Sequence, residues 1–159
     1  MFKSDEKFMK AALKEAKKAY KKGEVPVGCV IVKNGKIIAK GHNKKEGRRD
    51  PLAHAEMIAI RKASKRLSSW RLLDTVLYVT LEPCTMCAGG IISSRIPRVV
   101  FGIRDEKAGA LGSTVSLLDN KSLNHHPKVT EGVLKEESKT LMEEFFKDIR
   151  KRKTKEQQV

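Results

Sequence analysis

The sequence predicts a single α/β domain in three layers, a mixed central sheet of about five strands with helices on both faces. Three observations lead there. Segments of helical and strand period alternate in the order α-β-β-α-β-α-β-(β)-α. The stretch Thr75 to Leu81 is apolar almost throughout, as in a strand buried on both faces. The chain has 159 residues, the size of one ordinary domain, with neither internal repeat nor linker composition.

Residues 5–22 read as an amphipathic helix, because Phe8, Ala12, Ala16 and Tyr20 recur every four positions and Gly23 follows as a stop. Val27 to Lys33 is a β-branched apolar strand. Asn34-Gly35 is a hairpin turn, and Lys36 to Gly41 returns as the second strand. Residues 43–53 are polar and punctuated by Gly and Pro, hence loop. A helix is expected from His54 to about Arg66. After the Thr75 to Leu81 strand, Pro83 suits the first position of a helix running to about Ser94. Arg98 to Phe101 is a short strand. Residues 102–127 show no period beyond a turn at Val115 to Leu118, and so long a loop in a compact domain points to function. Val129 to Val133 reads as a last strand. Residues 134–151 read as a helix with Leu134, Leu141, Phe145 and Ile149 on one stripe, and residues 151–159 as a basic, frayed tail.

Lys and Arg number 34 against 19 Asp and Glu, a formal net charge of +15. That excess exceeds what solubility asks of a small domain and points to a polyanionic partner. Nucleic acid fits better than a membrane, since no apolar anchor accompanies the charge. The three cysteines form no disulfide framework, no apolar run approaches spanning length, and the first residues lack the apolar core of a secretory signal, so the chain reads as cytoplasmic.

The chemistry is carried by His54-Ala55-Glu56 and Pro83-Cys84-Thr85-Met86-Cys87. Together they offer one imidazole, two thiolates and a spare carboxylate. Zinc takes N and S ligands, and a catalytic zinc keeps one position open for water. A lone His-x-Glu is a common helix start, and a lone Cys-x-x-Cys serves as a redox pair or half of a structural knuckle. A structural site needs a fourth ligand, and none stands at ligand spacing. Cys29 lies in an apolar run as a small core residue. His42, His125 and His126 stand alone or in loops. Cys84 and Cys87 at i and i+3 share a helix face. His54 and Glu56 at i and i+2 do not, unless His54 lies at the very start of its helix. Both ligand helices then aim their positive N-termini at the metal. His54, Cys84 and Cys87 are therefore the expected zinc ligands and Glu56 the expected proton carrier.

The chain resembles the bacterial tRNA-specific adenosine deaminases over nearly its full length. The resemblance is carried by Gly23-Glu24-Val25-Pro26-Val27-Gly28, Ala53-His54-Ala55-Glu56, Leu77 to Gly89, Ser94-Arg95-Ile96, Arg98 to Gly102, Lys107 to Ser113 and Asn124-His125. The zinc motif alone fits any cytidine, guanine or adenosine deaminase. The Lys107 to Ser113 loop with Asn124-His125 looks more like the tRNA enzymes. The resemblance implies a cytidine deaminase-like fold, one Zn2+ per subunit and a homodimer. It implies hydrolysis of the wobble adenosine to inosine in the anticodon stem-loop of an arginine tRNA. Zinc-activated water would attack C6, and Glu56 would protonate N1 and then the departing ammonia. It also implies that Asn43, Val27 and Ala55 face the base. Asp105, Lys107, Asn124, His125, Phe145, Phe146 and Arg150 are implied RNA contacts, with one of the two phenylalanines serving the core. Leu52, Ile103 and His126 stand where relatives often carry Thr, Ala and Arg. The rival reading is a free nucleobase or nucleoside deaminase for guanine or cytidine. It shares the zinc chemistry but needs no polyanion surface. A non-catalytic zinc module that binds RNA leaves Glu56 without a task.

Overall fold

The computed structural model describes residues 3–158. Five strands form one sheet in the order β2-β1-β3-β4-β5, with β1 Gly28–Lys33, β2 Lys36–His42, β3 Thr75–Leu81, β4 Arg98–Ile103 and β5 Lys128–Glu131. β1 pairs antiparallel with both β2 and β3, while β3, β4 and β5 run parallel. Helix α1 spans Lys3–Lys21, α3 Ala55–Leu67, α4 Thr85–Ser93 and α5 Lys135–Glu156.

Alternation along each strand builds two cores. Cys29, Ile31, Leu77, Val79, Val99 and Phe101 face α3 and α4, where Ala59, Ala63, Ala88 and Ile91 pack against them. Val30, Val32, Tyr78 and Val100 face α1 through Phe8, Met9 and Ala12. Tyr20 of α1 meets Phe145 edge-on and hydrogen-bonds Asp148, so α5 shares that layer. Two glycines let helix backbone reach the sheet. A Cβ on Gly28 would lie 1.9 Å from the Ala12 carbonyl, and one on Gly41 2.4 Å from the Ala55 carbonyl. The second contact seats the start of α3, and with it His54, directly over β2.

The three-layer mixed sheet matches the expected class, and the structure refines the elements. The segment expected as loop over 43–53 contains a one-turn helix, α2, at Lys45–Arg48. Pro83 is not the first helical residue. Cys84 is the N-cap of α4 (φ −70°, ψ 176°), and the Pro83 carbonyl accepts from Ala110 instead. Within 102–127, Cys84 bridges Gly109, Leu111 bridges Ser116, and a 3-10 turn covers Leu117–Asp119. Strand β5 ends at Glu131 because Gly132 turns left-handed at φ 84°. The tail is no frayed end through most of its length. No Gly or Pro interrupts it, and α5 continues to Glu156. No described helix is long and apolar enough to cross a membrane.

Candidate active site

The functional side chains meet where β3 ends, β1 begins and β2 ends. His54 is the N-cap of α3 (φ −79°, ψ 151°), and Cys84 is the N-cap of α4. Each sits in extended backbone with its side chain free of the helix, and each helix presents its unpaired N–H groups and positive end to the same point. Cys87 lies one turn into α4, on the Cys84 side. The Nδ1 of His54 is 3.7 Å from Cys84 Sγ and 3.6 Å from Cys87 Sγ, and the three donor atoms lie within 4.8 Å of one another. A tetrahedral ion with Zn–S of about 2.3 Å and Zn–N of about 2.0–2.1 Å separates N from S by about 3.5 Å. These residues therefore fit zinc, and an N/S/S donor set disfavours the hard cations magnesium and calcium.

The electrostatics prepare the cluster for a cation. A hydrogen bond from Cys87, and a further one shared with His54, pull the Cys84 thiol down to about 4 against the opposing effect of burial. Cys87 is pushed up because it donates to that thiolate and is buried beside Glu56. A coordinating cation reverses this, since a thiol on a metal loses its proton. His54 is raised, first by its hydrogen bond with Cys84. Glu56 sits in the first turn of α3, only 3 % exposed. Burial raises its pKa above the usual carboxylate range, while its contact with Cys87 works the other way. A carboxyl so placed holds a proton nearer neutrality than an exposed one does.

These groups open onto a pocket of about 200 Å³ lined by Val27, Asn43, Lys45, His54, Glu56, Cys84 and Asp105 among others. Asn43 Oδ1 accepts the Ala55 N–H at 2.9 Å, which leaves the amide NH2 of Asn43 free to donate. Asp105 ties its own loop by accepting from the N–H groups of Lys107 and Ala108 at 3.0 and 3.2 Å. A second cleft adjoins the first, sharing Val25, Leu81 and Asp105 and adding Lys107, Met142 and Phe146. Arg150 lies further along α5, in a shallow groove with Lys147, Lys151 and Lys155.

Four of the expected contacts stand elsewhere. Phe145 is 4 % exposed and packed on Tyr20, whereas Phe146 is 41 % exposed, so Phe145 is the core residue of the pair. Ala55 is fully buried, and its N–H is spent on Asn43. Asn124 and His125 precede β5, whose first residue Lys128 pairs with Arg98 at the start of β4. They lie at the end of the sheet opposite the pocket, with His125 Nε2 donating to the Ile96 carbonyl at 2.6 Å.

Sequence reasoning missed two buried carboxylates and one cation. Glu82 accepts from the N–H groups of Asp105 (3.0 Å), Leu111 (3.0 Å) and Ser113 (3.2 Å) and from the Ser113 hydroxyl. It thereby holds the loop that forms one wall of the pocket. Glu24 accepts from the N–H groups of Glu46 (2.6 Å) and Gly47 (3.1 Å), fixing α2. Lys45, on the opposite wall, belongs to that helix. The only signal was the presence of both acids in the stretches that carry the family resemblance, where nothing local explained an acid.

Residues 2–103 match the model of the cytidine and deoxycytidylate deaminase zinc-binding region. The chain is 51 % identical over 149 residues to the tRNA-specific adenosine deaminase of Bacillus subtilis, covering 94 % of this chain and 92 % of that one. It is 50 % identical over 145 residues to the Aquifex aeolicus protein of the same name, covering 91 % and 95 %. Among solved structures, one from a study of A-to-I editing by tRNA:A34 deaminases superimposes with a TM-score of 0.83 at 42 % identity, covering 85 % of this chain and 98 % of that one. A guanine deaminase from Bacillus subtilis gives 0.60 at 35 % identity, covering 72 % and 83 %.

Proposed function

The chain belongs to the cytidine and deoxycytidylate deaminase family, on the branch of the tRNA-specific adenosine deaminases, and from that premise we propose that it hydrolyses adenosine to inosine at the wobble position of tRNA. The observation that carries the reading is the His54/Cys84/Cys87 donor set closing around one point, with the buried carboxyl of Glu56 beside it in a base-sized pocket.

When bound, zinc supplies the Lewis acidity that makes water a nucleophile at neutral pH. The protein's own groups do the rest. Glu56 takes the proton given up by the water and delivers it to N1 of adenine as the C6–O bond forms. It then carries the second proton to the exocyclic nitrogen, the C6–N6 bond breaks, and ammonia leaves. Such proton transfer is typically worth about 10²–10⁴ in rate. Asn43, held by Ala55, donates its amide N–H to an acceptor on the base edge. Val27 packs against the ring. Reaching C6 inside a structured loop requires the nucleotide to be turned outward into the pocket.

The RNA side rests on the +15 charge and on the second cleft, where Lys107 and exposed Phe146 stand beside the catalytic pocket. A cation next to an aromatic face suits a splayed base and its phosphate. Arg150 and its lysine neighbours extend the same positive surface along α5. We propose likewise that the substrate is the anticodon stem-loop of an arginine tRNA and that the protein acts as a cytoplasmic homodimer with one zinc per subunit, a reading supported by its tRNA-specific relatives and by the His/Cys/Cys donor set. Turnover on an anticodon stem-loop, compared with turnover on free adenosine, cytidine and guanine, tests the reading. Deamination of the stem-loop with little activity on the free compounds is expected. The reverse preference would make the protein a free-base or nucleoside deaminase.

A further inference from the structure

Among the described residues, Lys45 is the only Lys or Arg lining the catalytic pocket. Its side chain is exposed, and its ammonium takes part in no ion pair or side-chain hydrogen bond among the described residues. Its position is nevertheless fixed. Lys45 opens α2, a single turn whose free N–H groups are taken by the buried Glu24 carboxylate. The Lys44 N–H is bound to the Ala53 carbonyl at 3.0 Å, and Asp50 N–H to that of Lys45 at 3.1 Å. The backbone carrying Lys45 is thus pinned on both sides, one residue from Lys44 and two from Asn43.

A pocket of about 200 Å³ is smaller than the 300 Å³ or more that encloses a drug-sized ligand. It admits the base and leaves sugar and phosphate at its mouth. The rim there is polarised. Lys45 follows β2 and Asp105 follows β4, strands separated in the sheet by β1 and β3, so the two lining residues come from opposite sides of the pocket. Lys107 belongs to the adjoining cleft, so within the lining of the catalytic pocket itself a phosphate gains a charge-assisted contact at Lys45. We propose that Lys45 binds a backbone phosphate flanking the turned-out nucleotide, and that Glu24 is the positioning residue that sets the height of Lys45 over the pocket. This rests on the tRNA reading above.

The test uses the full-length zinc-loaded protein and an anticodon stem-loop with the wobble adenosine. Lys45→Gln is expected to raise KM by roughly tenfold or more, the loss of one charged contact, with kcat within about twofold of wild type. The slope of log affinity against log salt should become shallower by about 0.7, the value for one phosphate on single-stranded RNA. Lys45→Arg should restore both. Glu24→Gln should raise KM without changing the slope, because the charge is kept and only its position is lost. Stem-loops with a neutral methylphosphonate on either side of the target adenosine locate the phosphate. One of the two should weaken wild type and leave Lys45→Gln unaffected. An unchanged slope in Lys45→Gln, or a loss confined to kcat, overturns the role of Lys45. Wild-type turnover of the stem-loop separates the two readings, since its absence defeats the tRNA assignment and the lysine role together.

Discussion

Replacing Glu82 by Gln should detach one wall of the catalytic pocket while leaving the metal site assembled. Glu82 is 2 % exposed. Its Oε1 accepts from Leu111 and Ser113 N–H, and its Oε2 accepts from Asp105 N–H and the Ser113 hydroxyl. A glutamine has the same shape but only one acceptor oxygen. If that oxygen keeps Leu111 and Ser113, the new NH2 faces the Asp105 N–H donor to donor. The Ser113 hydroxyl can rotate and accept, but the Asp105 amide has no partner. Two bonds fall from charged to neutral strength, and one part-buried donor loses its partner, for a loss of about 3–4 kcal/mol. Because the loop is anchored chiefly through this carboxylate, the loss should appear as local opening of residues 105–113 rather than global unfolding. At about 1.4 kcal/mol per factor of ten, the Asp105, Leu111 and Ser113 amides should exchange hydrogen roughly 10²–10³ times faster. KM for the stem-loop should rise, and zinc content should stay stoichiometric. Unchanged protection of those three amides in Glu82→Gln would refute the reasoning, since it would mean the loop is held by something else.

Glu56→Gln should retain zinc and RNA affinity and lose ammonia release, because the amide keeps the volume of the side chain but carries no proton between water and base. Loss of zinc in that variant would make Glu56 a ligand instead. Asp5 is buried and accepts from Arg98 at 2.9 and 2.8 Å and from Tyr78 at 2.8 Å, and the hydrogen bond from Arg98, foremost, lowers its pKa. A carboxylate lowered in the folded state stabilises above its unfolded pKa of about 3.9 and loses that contribution as pH falls through the folded value. Asp5→Asn should therefore cost about 2–3 kcal/mol at neutral pH, and denaturant titrations should show the gap from wild type closing below about pH 4. Phe146→Ala should weaken stem-loop binding by about 1–3 kcal/mol at constant salt slope, while removing residues 151–159 should make the slope shallower. Equal slopes before and after truncation would assign the end of α5 no phosphate contact.

The elements that could be read from sequence were those set by local period and punctuation. Phe8, Ala12, Ala16 and Tyr20 fix α1, and Asn34-Gly35 fixes the hairpin. The paired motifs fix His54, Cys84 and Cys87, because zinc chemistry constrains residue type and spacing together. What stayed hidden depends on distance through the fold. Glu24 and Glu82 clamp segments more than twenty residues away, and no local pattern reports a carboxylate whose partners are backbone N–H groups. Phe145 and Phe146 are about 100° apart on one helix, and only the place of Tyr20 decides that Phe145 turns inward. Asn124 and His125 fell at the far end of the sheet because β5 runs parallel to β4, a pairing that four residues of strand do not announce. Helix α5 runs on through the basic tail because its exposed Lys and Arg are good helix formers.

The most direct measurement is mapping inosine in total bacterial tRNA after incubation with the zinc-loaded protein, alongside the released ammonia. Inosine at the wobble position of an adenosine-bearing anticodon, equimolar with ammonia and absent with Glu56→Gln, is the expected result. Ammonia from free guanine or cytidine, with every tRNA left unmodified, would contradict it.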